Sequence, residues 1–249
     1  MSLESITTSL YSVRCSVLRG RLRTYNCYMP FESVRKAAEA DFPTRWGHFR
    51  IFGFVGTPMA EAPDPECKTD PAQSNTPEEM VALVMGDVSS ALPIVRIHSQ
   101  CLTGDVFGSL RCDCRLQLEL ALRAIAEEGA GILLYEQQEG RGIGLMPKLQ
   151  AYALQDKGLD TVEANEQLGF KADCRVFELP AAVLKLMGIT EVRLMTNNPD
   201  KVAALESAGI RVVERLSSVV ESQESFEKYL QVKRDKMGHI AEQAGSVNS

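Results

Sequence analysis

The chain has 249 residues, is 45% hydrophobic and 24% charged, and carries a formal net charge of −6. These values exclude disordered, collagen-like and fibrous classes, and a chain of this length buries about three quarters of its unfolded surface without needing disulfides or metal merely to fold. No apolar run approaches the ~20 residues of a membrane span, no secretory signal is expected from the acid near the N-terminus, and the acidic balance speaks against a nucleic-acid binder. Seven cysteines, three of them between positions 101 and 114, fit a reducing compartment that keeps thiols for chemistry rather than a disulfide framework. The expectation is a cytoplasmic globular protein.

Taken in chain order, residues 1–44 show little periodicity, and the stretch 33–40 after Pro30 reads as a short helix. Residues 47–54 alternate as a strand does. Residues 57–79 hold five of the eleven prolines and a surplus of acids, so a mobile loop between two strands is expected there. Strand character resumes over 81–85 and 94–97. Leu118, Leu122 and Ile125 then fall at helical spacing between Cys114 and Glu128, with Gly129 as the stop. A buried strand over 131–135, a glycine-rich loop and a helix over 149–157 follow. Asp160 with Glu163 forms a capping-box pattern. Residues 192–195 read as a strand, Asn197-Asn198-Pro199 caps a helix that Gly209 stops, and a charged helix runs from about Glu221 through Lys236. The class is α/β, a mixed sheet with flanking helices.

Two constellations carry chemistry. Cys101, Cys112 and Cys114 are spaced Cys-x₁₀-Cys-x-Cys, and chance predicts only about 0.2 Cys-x-Cys pairs in such a chain. Three thiolates plus water is the ligand pattern of catalytic zinc, and the helix start at Cys114 favours ionised thiols. Small buried hydrophobes or a redox pair are the alternatives. Cys15, Cys27, Cys67 and Cys174 are isolated and read as incidental, and His98 reads as a packing or hydrogen-bonding neighbour of the cysteines rather than a ligand. The second constellation is Gln138-Glu-Gly-Arg-Gly-Ile-Gly144, whose glycines let backbone approach an anion while Arg141 offers a planar fork to phosphate. It is neither a P-loop nor a dinucleotide fingerprint, and an ordinary connection is the alternative. Arg96, Arg111, Arg141, Arg175 and Lys201 all fall at or beside loops, as a local anion site requires.

Together Arg96-Ile-His-Ser-Gln-Cys-Leu-Thr-Gly-Asp105, Arg111-Cys-Asp-Cys114, Gln138-Glu-Gly-Arg-Gly-Ile-Gly-Leu145, Ala151-Tyr-Ala-Leu-Gln-Asp156 and Asp160-Thr-Val-Glu-Ala-Asn165 resemble the GTP cyclohydrolase II family. The resemblance runs from about Trp46 to His239, interrupted by the proline-rich segment. It implies a single catalytic domain over 45–220 with the insertion 57–79, an N-terminal extension 1–44 and a helical tail 221–249. It further implies zinc on Cys101, Cys112 and Cys114, Mg²⁺ with the triphosphate of GTP, and a homodimer without nucleic-acid or membrane partners. The implied reaction removes C8 of GTP as formate and the outer phosphates as pyrophosphate, the first step of riboflavin biosynthesis. By the same resemblance Tyr152 assists ring opening or deformylation, Asp173 and Arg175 act at the α-phosphate, and Arg96, Gln117, Glu139, Arg141, Thr161, Thr196 and Lys201 bind GTP. A carboxylate at Glu139 suits the guanine donors, a structural cap being its alternative. A guanidinium is a poor nucleophile, so Arg175 needs Asp173 as a base or serves to stabilise charge.

Departures from the family pattern are Gln100 and Cys174, where acids are frequent, and the stretch 216–220, which lacks the usual proline and asparagine. The ending Tyr229 to Gly238-His239 is kept. The N-terminal stretch is too short for the dihydroxybutanone phosphate synthase domain often fused there, and no such activity is expected. The alternatives are a specialised paralogue feeding another pyrimidine- or azapteridine-type pathway, and a non-catalytic zinc-containing nucleotide-binding regulator. No ligand, tyrosine or Asp-x-Arg residue that a regulator would have lost is missing.

Overall fold

A long antiparallel hairpin opens the fold. In the computed structural model, which describes residues 31–59, 67, 76–89, 92–221 and 226–240, strand β1 (Phe31–Thr44) pairs with β2 (Gly47–Pro58) across a tight turn. The helix expected over 33–40 is therefore a strand. Lys-Ala-Ala-Glu-Ala favours helix, but a short isolated helix is marginal in water, and β2 supplies a hydrogen-bond ladder. Lys36 and Arg50 also lie over the Phe52 ring, 5.7 and 5.3 Å from its centre. Charged side chains along exposed β1 guard it as an edge strand. Among the described residues the sheet begins at Phe31, ahead of the expected boundary at residue 45. Residues 1–30, and within the proline-rich segment residues 60–66 and 68–75, lie outside the described residues, so the mobile loop expected there does too.

The remaining strands are β3 (Glu78–Met85), β4 (Ile94–Ser99), β5 (Gly131–Glu136), β6 (Glu191–Met195) and β7 (Arg211–Leu216). They join one seven-stranded sheet in the order β1-β2-β3-β5-β4-β6-β7. Pairing is antiparallel from β1 through β3 to β5 and parallel from β5 through β4 and β6 to β7. The parallel half needs crossovers, which α1 (Cys114–Glu128) and α5 (Pro199–Ser207) supply.

Alternation along β5 sorts the two faces. Ile132 and Leu134 point to a core shared with Phe54, Ile97, Leu184, Leu194 and Leu205. Leu133 points the other way, to Phe49, Ala121, Leu122 and Ile125 beneath α1. Both faces are covered, as a parallel sheet demands.

The expected helices appear with shifted ends. α2 (Leu145–Gln155) begins earlier than residue 149 because the chain leaves its glycine-rich loop directly into helix. α3 (Thr161–Gln167) carries the capping box of Asp160 and Glu163, Asn198 caps α5, and α6 (Glu227–Met237) is the charged terminal helix. Sequence patterning missed α4 (Glu178–Leu186), whose buried residues run from Leu179 through Leu184 and so show no clean stripe. It also missed β7, a short and largely exposed strand without alternation. Parallel strands β4, β5 and β6 all end their carboxyl termini on one side, where open α/β sheets form their crevice.

Candidate active site

The loop leaving β4 delivers Cys101, and the turn entering α1 delivers Cys112 and Cys114. The three Sγ atoms lie within 4.8 Å of one another, Cys101 and Cys112 only 3.7 Å apart. Thiolates about 2.3 Å from one tetrahedral zinc stand ~3.8 Å from each other, so the donor set fits that ion. Gly104 makes the closeness feasible: a Cβ there would meet Cys112 Sγ at 2.9 Å and Cys101 Sγ at 3.1 Å. Hydrogen bonds from Cys112 and Cys114, then Lys148, hold the Cys101 thiol far below its ordinary value despite burial. The contact with Cys101 in turn pushes Cys112 up to about 11 and Cys114 well above its ordinary value. A divalent cation removes that conflict by offsetting all three charges together.

The loop geometry is held from behind. Asp105 accepts from Cys101 N at 3.0 Å and from the Tyr135 hydroxyl at 2.9 Å, with His98 Nε2 3.2 Å away. Buried His98, kept below its ordinary pKa by desolvation, stacks on Tyr135 and is a neighbour of the cysteine loop, not a member of the thiol cluster. Glu139 accepts from Leu102 N at 2.6 Å, Gly140 N at 3.0 Å and Lys148 Nζ at 2.6 Å. Its carboxylate thus ties the cysteine loop to the glycine-rich loop, the capping role left open for it. Lys148 Nζ also lies 3.2 Å from Cys101 Sγ, so it faces the thiols.

Between Gly140 (φ 62°) and Gly142 (φ 87°), Arg141 itself adopts φ 63°. A non-glycine residue there is strained, and the neighbouring Gly142 is closely packed, since a Cβ on it would meet Cys174 O at 2.8 Å. The guanidinium approaches the Tyr229 ring at 5.7 Å. From α2, the Tyr152 hydroxyl meets Thr103 Oγ1 at 3.1 Å beside the thiols, and burial raises its pKa, so it stands as a protonated donor.

These groups line a cleft with two lobes. The first, about 660 Å³, is walled by the three cysteines, Glu139, Tyr152, Thr161 and Asn165. The second, about 560 Å³, is walled by Arg96, Gln117, Thr196, Lys201, Ser218, Lys233 and His239. Arg141, Arg175 and Tyr229 border both. In the second lobe Arg96 donates to Met195 O at 3.1 Å and to Gln117 Oε1 at 2.7 Å, while Lys201 donates to Ile97 O at 2.9 Å. Burial lowers the pKa of Arg96 to about 10 and that of Lys201 well below its ordinary value. Burial, then the neighbouring cations Lys233, Arg175, Arg141 and Lys201, push His239 down to about 3. The lobe is built to receive negative charge.

A family model for GTP cyclohydrolase II matches residues 35–217. The chain belongs to the GTP cyclohydrolase II family. It is 52% identical over 208 residues to the GTP cyclohydrolase-2 of Enterobacter sp. (strain 638), a span covering 83% of this chain and 97% of that relative. The GTP cyclohydrolase-2 of Escherichia coli (strain K12 / DH10B) matches at the same identity and coverage. A solved structure of RibBX, a two-domain 3,4-dihydroxy-2-butanone 4-phosphate synthase from A. baumannii, matches with a TM-score of 0.41 at 16% identity, covering 79% of this chain and 43% of that one. That last likeness is too weak to carry an argument.

As a GTP cyclohydrolase II family member, the chain brings Cys101, Cys112, Cys114, Tyr152, Thr161, Glu139, Arg141, Arg175, Arg96, Gln117, Thr196 and Lys201 onto one cleft. Asp173 stands behind Arg175, accepting from its Nε at 2.9 Å. Although burial opposes it, those hydrogen bonds and the Asp173 charge raise the Arg175 pKa above its ordinary value.

One reading needs correction: Cys67 and Cys174, taken as incidental thiols of a reducing compartment, form a disulfide, with Cα atoms 5.5 Å apart. A pair separated by 107 residues has no local signature. Gln100 lines the first lobe. The reading also missed Asp113, buried between two of the cysteines and paired with Lys233 at 2.8 Å, and the contributions of Ser218, Tyr229, Lys233 and His239. The kept ending, Tyr229 to His239, was the available signal for the last three. No described helix is long and apolar enough to cross a membrane.

Proposed function

We propose that this protein is a zinc-dependent GTP cyclohydrolase II that converts GTP to 2,5-diamino-6-ribosylamino-4(3H)-pyrimidinone 5′-phosphate, formate and pyrophosphate and so opens riboflavin biosynthesis. The observation that carries the reading is a close three-thiol cluster and a cationic lobe meeting in one cleft at Arg175. Hydrolysis of a purine ring and of a phosphoanhydride needs those two environments side by side.

Cys101, Cys112 and Cys114 would hold a zinc ion, which when bound would supply the Lewis acidity that makes water a nucleophile near neutral pH. Two waters remove C8 as formate, and a third releases the outer phosphates. Tyr152, protonated and beside the thiols, hydrogen-bonds the reacting purine and shuttles a proton during ring opening or deformylation. Thr161 and the Glu139 wall shape the purine lobe. Arg96, Gln117, Arg141, Thr196 and Lys201 orient the triphosphate, whose charge Mg²⁺ would partly neutralise when bound. Arg175 stabilises charge on the α-phosphate. Its doubled pairing with Asp173 keeps it protonated, which favours this role over attack on phosphorus. The catalytic domain takes in β1 and so reaches from Phe31 to about residue 220, followed by the tail 221–249. The enzyme works as a homodimer.

The test is incubation of purified zinc-loaded protein with GTP and Mg²⁺, followed by mass spectrometry and assays of formate and pyrophosphate. All three products support the reading. A formamide product without formate points to a specialised paralogue, and intact GTP with zinc present overturns the reading in favour of a regulator.

A further inference from the structure

The family match ends at residue 217, yet the wall of the cationic lobe does not. Ser218, Tyr229, Lys233 and His239 all lie beyond that point and line it. The segment is fastened there: Ser218 N donates to Asn197 Oδ1 at 3.0 Å, Lys233 pairs with Asp113 at 2.8 Å, and Ile240 N donates to Asn197 O at 3.0 Å. The chain after α6 is thereby turned back against the loop that caps α5, carrying His239 to the lobe.

Polar atoms in this lobe are left waiting. Among the described residues six buried side-chain nitrogen and oxygen atoms have no hydrogen-bond partner, and five belong to residues lining this one lobe: Arg96 Nε, His98 Nδ1, Arg141 Nη2, Ser218 Oγ and His239 Nε2. Buried polar groups are normally paired, so their concentration here marks a missing partner. Arg96 and Arg141 can only donate, and the Ser218 hydroxyl and the His239 imidazole can donate as well. With Nε2 donating to the Asp105 carboxylate, His98 Nδ1 is an acceptor; a ligand that accepts from the other four is rich in anionic oxygen. The cations agree: Arg96, Arg141 and Lys201 hydrogen-bond only to carbonyls and to Gln117 among the described residues.

We propose that Ser218 and His239, carried by the C-terminal segment, are ligands of the outer phosphates of the nucleoside triphosphate, so that this segment completes the substrate site rather than trailing from it. The inference rests on the GTP reading for the identity of the ligand. Lys233 and Tyr229 position the segment: Lys233 anchors it to Asp113 and lies 4.3 Å from the Tyr229 ring centre, and that ring faces Arg141.

The experiment measures binding of GMP, of a non-hydrolysable GTP analogue and of inorganic tripolyphosphate to the full zinc-loaded chain by calorimetry. Ser218→Ala and His239→Ala are expected to weaken the analogue and tripolyphosphate by about tenfold each, the loss of one hydrogen bond to a charged group. GMP affinity should change less than about twofold. His239→Gln, which keeps an N–H donor, should recover part of the loss, whereas a merely structural role gives no rescue and equal losses for all three ligands. Unchanged analogue and tripolyphosphate binding in both alanine variants, at wild-type zinc content and melting temperature, overturns the proposal. So do equal losses for GMP. If the wild-type protein neither consumes nor binds GTP, the cyclohydrolase reading fails separately, and tripolyphosphate binding by wild type and variants still decides whether this segment holds polyphosphate.

Discussion

The two lobes of the cleft are built on opposite plans. In the thiol lobe the groups already hold one another: Glu139 ties two loops together, Asp105 fixes the cysteine loop, and the sulfur atoms crowd to 3.7 Å. In the cationic lobe the groups repel one another and leave buried donors unpartnered. The first has donors suited to a small cation, the second has donors suited to a large anion. Preorganisation is common to both, since each aims fixed groups at charge that the ligand brings.

The comparison is broken most severely at the thiols. Cys112→Ser is expected to lose the metal and all ring opening, read by elemental analysis and formate release; full turnover in that variant would remove zinc from the account. At the junction of the lobes, Arg175→Ala should retain zinc but lower pyrophosphate release by about 10²–10³-fold, the usual cost of one charge-stabilising donor. Normal pyrophosphate release would show that the guanidinium stands outside the reaction. Tyr152→Phe should slow formate release by about 10²-fold, the scale of one positioned proton donor, and an unchanged product profile by mass spectrometry would take Tyr152 out of the chemistry.

Smaller effects sharpen the contrast. His239, held at about 3 in the folded chain against an ordinary 6.5, costs stability as pH falls through the unfolded value, because the unfolded chain takes up the proton first. His239→Gln should therefore flatten the fall in melting temperature between about pH 6.5 and 4. The Lys233–Asp113 pair leaves a residual slope at lower pH, since Lys233 holds the Asp113 carboxyl low despite its burial. An unaltered slope throughout would contradict a buried neutral imidazole. Least affected should be turnover in Cys67→Ser. Arg175 keeps Asp173, and Cys174 N keeps its bond to Arg141 O at 3.0 Å, so kcat should stay within about twofold, while stability falls by about 2–4 kcal/mol on loss of the cross-link.

Legibility follows the same division. Cys101, Cys112 and Cys114 fall within one short stretch, so their spacing suffices to suggest a metal centre. The helix stop at Gly129, the capping box of Asp160 and the Asn198 cap are likewise local events, and the folded chain keeps them. Hidden from such reading were β1, where pairing with β2 overrides helix propensity, α4, which burial makes apolar on most sides, and the bond between Cys67 and Cys174. Glu139 was legible as a site residue, but its ties to Leu102 and Lys148 were not.

By itself the sequence determined the α/β class, the group of three cysteines, the glycine-rich loop and the family to which the chain belongs, because each depends on residues near one another in the chain or on motifs in fixed order. Only the tertiary structure decided that Arg96, Arg141, Arg175, Lys201 and His239 share one lobe, that Asp173 stands behind Arg175, and that the C-terminal segment closes the wall. Those juxtapositions depend on which strand ends lie side by side at the carboxyl edge of the sheet, a matter of long-range packing that no local spacing records.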